Sequence, residues 1–346
     1  MRPIKNLLVA LLLSASFAAA HAQKRLVLID QDGAGPGGTD QMSMLALLQA
    51  PDVQVLGITM VTGDGWRDEE TLHTLRMLEL TGHADIPVAK GAQGPLVRSQ
   101  DETRLLSALA GKAGWLGAWG RAPEPLPEGN PSLRPIDEDA AHFLVRQVRA
   151  HPHQVTLYAA GPLTNIALAL TIDPDFAALS KGIVLMGGSL NPVTSDPEFA
   201  AAPRHEFNFW FDPEAAHIVL HAAWPNIEVT TADVSLKAPF SQAVLDALAQ
   251  SNAPAAVYIR KWSKPFSYMW DELAACSWID PSIITRRSTL YLDTDLSHGP
   301  SYGETLSWTA ENKPGTATHP VNAQLDLDLP RFQKLFVDLI TGEARK

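Results

Sequence analysis

One stretch near the N-terminus decides what this chain can fold into. Leu26, Val27, Leu28 and Ile29 form a short aliphatic run that leads straight into Asp30-Gln31-Asp32-Gly33-Ala34-Gly35-Pro36-Gly37-Gly38-Thr39-Asp40. A run that ends in acids and glycines and is followed by helical periodicity reads as a buried parallel strand. Such a strand delivers side chains to the C-terminal edge of an open α/β sheet, where ligands bind. Asp30, Asp32 and Asp40 fall within eleven residues, with no Lys or Arg among them. Carboxylates crowded in this way require a cation or a polyhydroxyl ligand.

The pattern then alternates. A helix is expected over 41–49, a strand over 53–61 that stops at Thr62-Gly63-Asp64-Gly65-Trp66, a helix over 68–81 and a short strand at 86–89. Right-handed crossovers between these strands build a parallel sheet and bring Asp32, Asp40 and Asp64 to one edge. Residues 91–134 are rich in Gly and Pro, carry Trp115 and Trp119, and read as a long excursion with a short helix at 105–110. Strands follow at 155–160, 182–186 and 227–230, with helices at 138–150, 166–171 and 213–220. Residues 290–296 and 324–329 read as peripheral strands before a final helix at 331–341. The fold class is therefore α/β, with an open, mostly parallel sheet flanked by helices.

Residues 1–22 have the tripartite form of a secretory signal: Arg2 and Lys5, an apolar run from Leu7 to Leu13, and small residues ending Ala20-His21-Ala22. The expectation is an exported protein, periplasmic in location, with residues 23–346 forming a single domain. No later apolar stretch approaches the length of a membrane span, so no membrane association is expected once the signal is cleaved. The net charge of -11 makes a nucleic-acid partner unexpected and a divalent cation a natural one. Cys276 is the only cysteine. It lies in an apolar helical run and reads as a buried small hydrophobe.

The ordered motifs resemble those of the calcium-dependent nucleoside hydrolases, which include inosine-uridine preferring and purine-specific enzymes. The resemblance rests on the opening acid turn, Gly161-Pro162-Leu163-Thr164-Asn165, Met186-Gly187-Gly188, and Glu206-Phe207-Asn208 running into Asp212-Pro213-Glu214. It rests also on Asp271, followed by Asp280-Pro281-Ser282. It implies a Rossmann-like core, hydrolysis of an N-ribosidic bond in a small nucleoside, and Ca²⁺ held by Asp32, Asp40, Asp271 and the main-chain carbonyl of Ala160. It further implies Asp32 as the base that activates water, with Thr39, Asp64, Met186, Glu206 and Asn208 lining the sugar site. An assembly of identical chains is compatible with it.

Three departures from the family pattern stand out. A glycine-rich insertion precedes Thr39, which takes the place of an acid that binds ribose. Ala200 replaces an Asn some six residues before Glu206, with Asn191 a candidate substitute. Trp270 replaces the His of pyrimidine-accepting relatives, which is similar to the purine-specific branch, where the base is stacked between aromatic rings; Trp115, Trp119 or Trp66 could supply a second ring. His298 and Tyr302 are candidates for the rim. Two other readings stay open: a non-catalytic nucleoside-binding protein on the same scaffold, and a haloacid-dehalogenase-like phosphatase using Asp30-Gln31-Asp32. The latter lacks the ordered Lys and later acidic pair that such chemistry requires.

Overall fold

A computed structural model describes residues 24–109, 125–315 and 318–345. A nine-stranded sheet runs through them, formed by β1 (Arg25–Gln31), β2 (Val53–Met60), β3 (Val88–Lys90), β4 (Val155–Ala159), β5 (Gly182–Met186), β6 (Ile227–Thr230), β7 (Ile284–Thr294), β8 (Thr305–Trp308) and β9 (Pro320–Leu327). The spatial order is β3-β2-β1-β4-β5-β6-β9-β7-β8. From β3 through β9 neighbours pair in parallel, whereas β7 runs antiparallel to both β9 and β8. The expected open, mostly parallel α/β sheet is therefore present.

Alternation along β1 feeds two cores. Val27 and Ile29 join a cluster with Met42, Leu45, Leu75, Tyr258, Leu273 and Phe336 on one face. Leu26 and Leu28 join Phe143, Leu157, Ile166, Phe176 and Val219 on the other. With both faces covered by helices, a strand inside the sheet must be aliphatic throughout, and β4 and β5 are buried at every position. Cys276 is buried in the helix Trp270–Ile279, as its apolar surroundings predict.

The chain leaves β1 toward β2 on one side and returns as β4 on the other. This reversal opens a crevice at the C-terminal ends of β1 and β4. Asp32 follows β1 directly and Ala160 follows β4, so the acid turn lies at the mouth of that crevice.

Two expectations need correction. The residues read as peripheral strands at 290–296 and 324–329 belong to β7 and β9, and both lie inside the sheet, with β8 at the edge. The pattern misleads because β9 carries a polar side chain that the interior absorbs: Thr230 Oγ1 donates to Gln324 Oε1 at 2.9 Å and Gln324 Nε2 donates to Ser277 Oγ at 3.0 Å. Thr231 Oγ1 donates to the Gln324 carbonyl at 2.8 Å. The helix expected at 105–110 begins earlier, at Gln100. Residues 1–22, Trp115 and Trp119 lie outside the described residues.

The Gln324 network ties β6, β9 and the helix Trp270–Ile279 together away from water. Gln324→Leu should leave the Thr230 hydroxyl unpaired and take from Ser277 Oγ, which still donates to the Ala274 carbonyl, its amide donor; the unfolding free energy should fall by about 1–3 kcal/mol, measured by urea denaturation.

Candidate active site

Asp32 is the centre of the pocket. Its side chain is buried, and its Oδ2 accepts from the Asp64 backbone N–H at 2.7 Å. Its own N–H donates to Gln31 Oε1 at 2.9 Å, while Gln31 Nε2 donates to Asp271 Oδ2 at 2.9 Å and to Ser43 Oγ at 3.2 Å. One buried amide thus fixes two acids that are 239 positions apart in the chain, Asp32 and Asp271. The loop after β2 can approach because residue 63 is glycine: a Cβ there would sit 2.1 Å from Asp32 Oδ2.

The glycine-rich insertion closes over the same pocket. Gly33, at φ +66°, lies where any Cβ would meet Glu70 at 2.8 Å, and the Gly35 N–H donates to Glu70 Oε2 at 2.8 Å. The Gly37 N–H donates to Gln41 Oε1 at 3.0 Å, and Ser263 Oγ donates to the Gly37 carbonyl at 2.5 Å. The turn is therefore clasped by the helices Arg67–Thr81 and Thr39–Gln49 and by the segment after Trp262. It ends by placing Asp40 in the first turn of Thr39–Gln49, within hydrogen-bonding reach of Asp32 and Asp271. The helix bearing Asp271 is anchored by Tyr158 OH, which donates to the Asp271 carbonyl at 2.8 Å.

Thr39 has a neighbour that residue patterns did not reveal. Its Oγ1 donates to Glu272 Oε2 at 2.5 Å and accepts from the Asp271 N–H at 3.3 Å. Glu272 is fully buried, its Oε1 has no hydrogen-bond partner, and burial raises its carboxyl to about 8. Thr39 thus faces a buried acid on the helix Trp270–Ile279. Its only sequence signal is adjacency to Asp271. Asp30, by contrast, points into the fold, with Oδ1 accepting from Asn165 Nδ2 at 2.7 Å and Thr59 Oγ1 at 2.5 Å. This committed position argues against a nucleophile at Asp30.

The opposite wall comes from β5 and the segment after it. Glu206 is the N-cap of the short helix Phe207–Phe211, accepting from the N–H groups of Asn208 at 2.9 Å, Phe209 at 3.1 Å and Gly188 at 2.8 Å. Burial raises its carboxyl to about 7. Asn208 Nδ2 donates to the Met186 carbonyl at 3.0 Å, and together with the Asn208 N–H bond to Glu206 this joins three of the expected sugar-site residues. Glu206 also contributes repulsion at Asp64, so this wall faces the acid turn. Asn191 is exposed, and its N–H donates to Asp233 Oδ1 at 3.2 Å.

Trp270, next to Asp271, is flanked by two aromatic rings among the described residues. Its ring lies 5.8 Å from Phe199 and 5.2 Å from Tyr268, between ring centroids, and Tyr268 OH donates to Asp196 Oδ2 at 2.9 Å. Trp66 occupies the N-cap position of the helix Arg67–Thr81. Tyr302 OH donates to Glu214 Oε1 at 2.5 Å, and its ring covers the buried Arg98. His298 packs on Tyr302, so both belong to this cluster.

The electrostatics of the acid pocket fit a hard cation. Burial, followed by the charges of Asp40, Asp64 and Asp271, pushes the Asp32 carboxyl well above the usual range. Burial and neighbouring acids do the same for Asp271 and Asp64, and burial raises Asp40. Asp40 Oδ2 is buried with no hydrogen-bond partner. Among the described residues no Lys, Arg or His forms an ion pair with Asp32, Asp40 or Asp271. Carboxylate oxygens with this much unrelieved repulsion are donors of the kind that divalent ions take.

Most of the chain is similar to known proteins. The sequence model of the family described as "Inosine-uridine preferring nucleoside hydrolase" matches residues 27–334. The chain is 29% identical over 336 residues to the probable uridine nucleosidase 1 of Oryza sativa subsp. japonica, covering 91% of this chain and 96% of that one. It is 28% identical over 328 residues to the inosine-uridine preferring nucleoside hydrolase of Leishmania major, covering 91% and 97%. Among solved structures, the purine-preferring ribonucleoside hydrolase from Gardnerella vaginalis aligns with a TM-score of 0.73 at 23% identity, over 92% of this chain and 99% of that one.

Two outcomes follow from the geometry. Gln31→Leu removes the amide that orients Asp32 and Asp271 and should weaken divalent-cation binding about 10–100-fold by calorimetric titration. Glu206, raised in the folded state from 4.5 to about 7, favours folding while protonated; that contribution is full below about 4.5 and is lost as pH rises through about 7. Urea midpoints of the cation-free protein should therefore fall across this window, and Glu206→Gln should flatten the slope.

Proposed function

Because the chain belongs to the inosine-uridine preferring nucleoside hydrolase family, we propose that it hydrolyses the N-ribosidic bond of ribonucleosides to free base and ribose, with purine nucleosides favoured. The observation that carries this reading is the meeting of Asp32, Asp40 and Asp271 at the mouth of the β1–β4 crevice, facing Glu206 and Asn208.

Asp32, Asp40, Asp271 and the Ala160 carbonyl are the oxygen donors that would hold one Ca²⁺. When bound, that ion supplies positive charge that acidifies water and anchors sugar hydroxyls. Asp32, as carboxylate, takes the proton of the attacking water while the water oxygen bonds to the anomeric carbon. The carbon–nitrogen bond breaks, its electron pair leaves with the base, and solvent returns a proton to the base. Positive charge develops on the ribose in this step, and the surrounding acids favour it. Glu206, Asn208, Asp64 and Thr39 would grip ribose hydroxyls. Asn208 presents an amide held by Met186, and Glu206 is held by three N–H groups.

Purine preference rests on Trp270, whose ring is backed by Phe199 and Tyr268 and offers a broad stacking surface. Trp115 and Trp119 remain candidates for a second ring from outside the described residues. The signal-like residues 1–22 support an exported, periplasmic enzyme, soluble once cleaved and built from a single domain over 23–346.

Release of ribose from inosine, guanosine, adenosine and uridine in the presence of Ca²⁺ tests the proposal. Turnover is expected for all purine nucleosides, at higher kcat/KM than uridine. Asp32→Ala should keep the circular dichroism spectrum and lose about 10²–10⁴-fold in kcat. Tight binding without turnover of any nucleoside would instead favour a binding protein on this scaffold, a reading that Thr39 and Ala200 motivate.

A further inference from the structure

On the face of the sheet opposite the helix Trp270–Ile279, the helix Pro213–Leu220 runs beside β7 and brings together three side chains that the acid pocket does not use. His217 Nδ1 lies 2.7 Å from Asp293 Oδ1, and His221 Nε2 lies 2.9 Å from Asp293 Oδ2. The two imidazoles, one helical turn apart, have ring centroids 4.1 Å apart. One ligand atom from each of the three residues fits within a span of 4.8 Å.

We propose that His217, His221 and Asp293 form a second metal site, which binds a borderline transition ion of the Zn²⁺ class and not Ca²⁺. Two imidazoles and one carboxylate are the donor chemistry that such ions select, whereas Ca²⁺ takes oxygen alone. The site is prearranged. The Thr294 N–H donates to Asp293 Oδ1 at 2.8 Å and orients the carboxylate. Thr294 Oγ1 donates to the Pro213 carbonyl at 2.8 Å, which fixes the end of β7 against the start of the helix. Outer contacts of this kind hold ligands in register.

As a purely hydrogen-bonded cluster the same residues need His217 protonated on Nδ1 and His221 on Nε2, both directed at one carboxylate. A metal uses those same atoms with their lone pairs. Among the described residues no Lys or Arg forms an ion pair with Asp293, so no side-chain cation competes for it. The side chains of His217, His221 and Asp293 are 36%, 19% and 13% exposed, so an ion can enter from solvent and water can complete its shell. The helix Pro213–Leu220, which carries His217 and has His221 as its C-cap, has Asp212 as its N-cap, immediately after the segment that bears Glu206 and Asn208. An ion here would staple the outer support of the sugar wall to the antiparallel ribbon of β7 and β8.

The test uses full-length protein freed of metal with chelator, then saturated with Ca²⁺ and titrated with ZnCl₂. The wild type should bind one Zn²⁺ equivalent, with X-ray absorption showing two imidazoles at about 2.0–2.1 Å. The double variant His217→Gln, His221→Gln should bind it at least about 100-fold more weakly, and Asp40→Asn should retain it. Zn²⁺ held equally well by the double variant would overturn the proposal. So would a wild-type spectrum without imidazole scattering, which needs no variant to fold.

Discussion

Mutual repulsion among buried carboxyl groups is the constraint on which this structure turns. Asp32, Asp40, Asp64 and Asp271 share one pocket, and each is pushed toward protonation by burial, with neighbouring acids adding to it at Asp32, Asp64 and Asp271. Such a cluster persists only if neutral hydrogen-bond donors and tight backbone packing hold it until a cation arrives. Gln31 and the Asp64 N–H supply the donors. Gly63 and Gly33 permit the close approach, and Glu70 clasps the turn from the adjoining helix.

The regions that carry the family resemblance are hydrogen-bonded to one another. Asn165 binds Asp30 and the Met60 carbonyl, while its Oδ1 accepts from Ala92. Thr164 Oγ1 donates to Asp212 Oδ2 at 2.6 Å, so the loop after β4 is locked to the helix that follows Glu206. Asp280 does not reach the pocket. It caps its own turn through the Ser282 N–H and pairs with Arg331. One motif can thus mark binding residues and another the joints that place them.

Most of the parallel core was legible because β1, β4 and β5 are buried on both faces and are dominated by apolar residues. Their polar terminations then name the ligand edge. The acids of the first turn and the distant Asp271 followed from motif order. Less legible was whatever depends on pairing across the sheet. Gln324 interrupts the apolar pattern of β9 and reads as an exposed residue, yet its amide is satisfied inside. Glu272 was overlooked because nothing in a helical run of Trp-Asp-Glu-Leu-Ala-Ala signals a second inward acid. Phe199 and Tyr268, the neighbours of Trp270, come from segments whose proximity only the fold creates.

The position of β9 has a consequence for how the molecule comes into being. It is the last strand in the chain, yet it lies between β6 and β7 and joins the parallel part of the sheet to the antiparallel ribbon. Until about residue 327 is available, β6 presents an open edge and β7 with β8 has no partner on its other side. Assembly of the sheet is therefore a late event dominated by contacts distant in sequence, which slows folding. A chain cut short before β9 loses the seam at its centre, although every residue of the acid pocket precedes the cut.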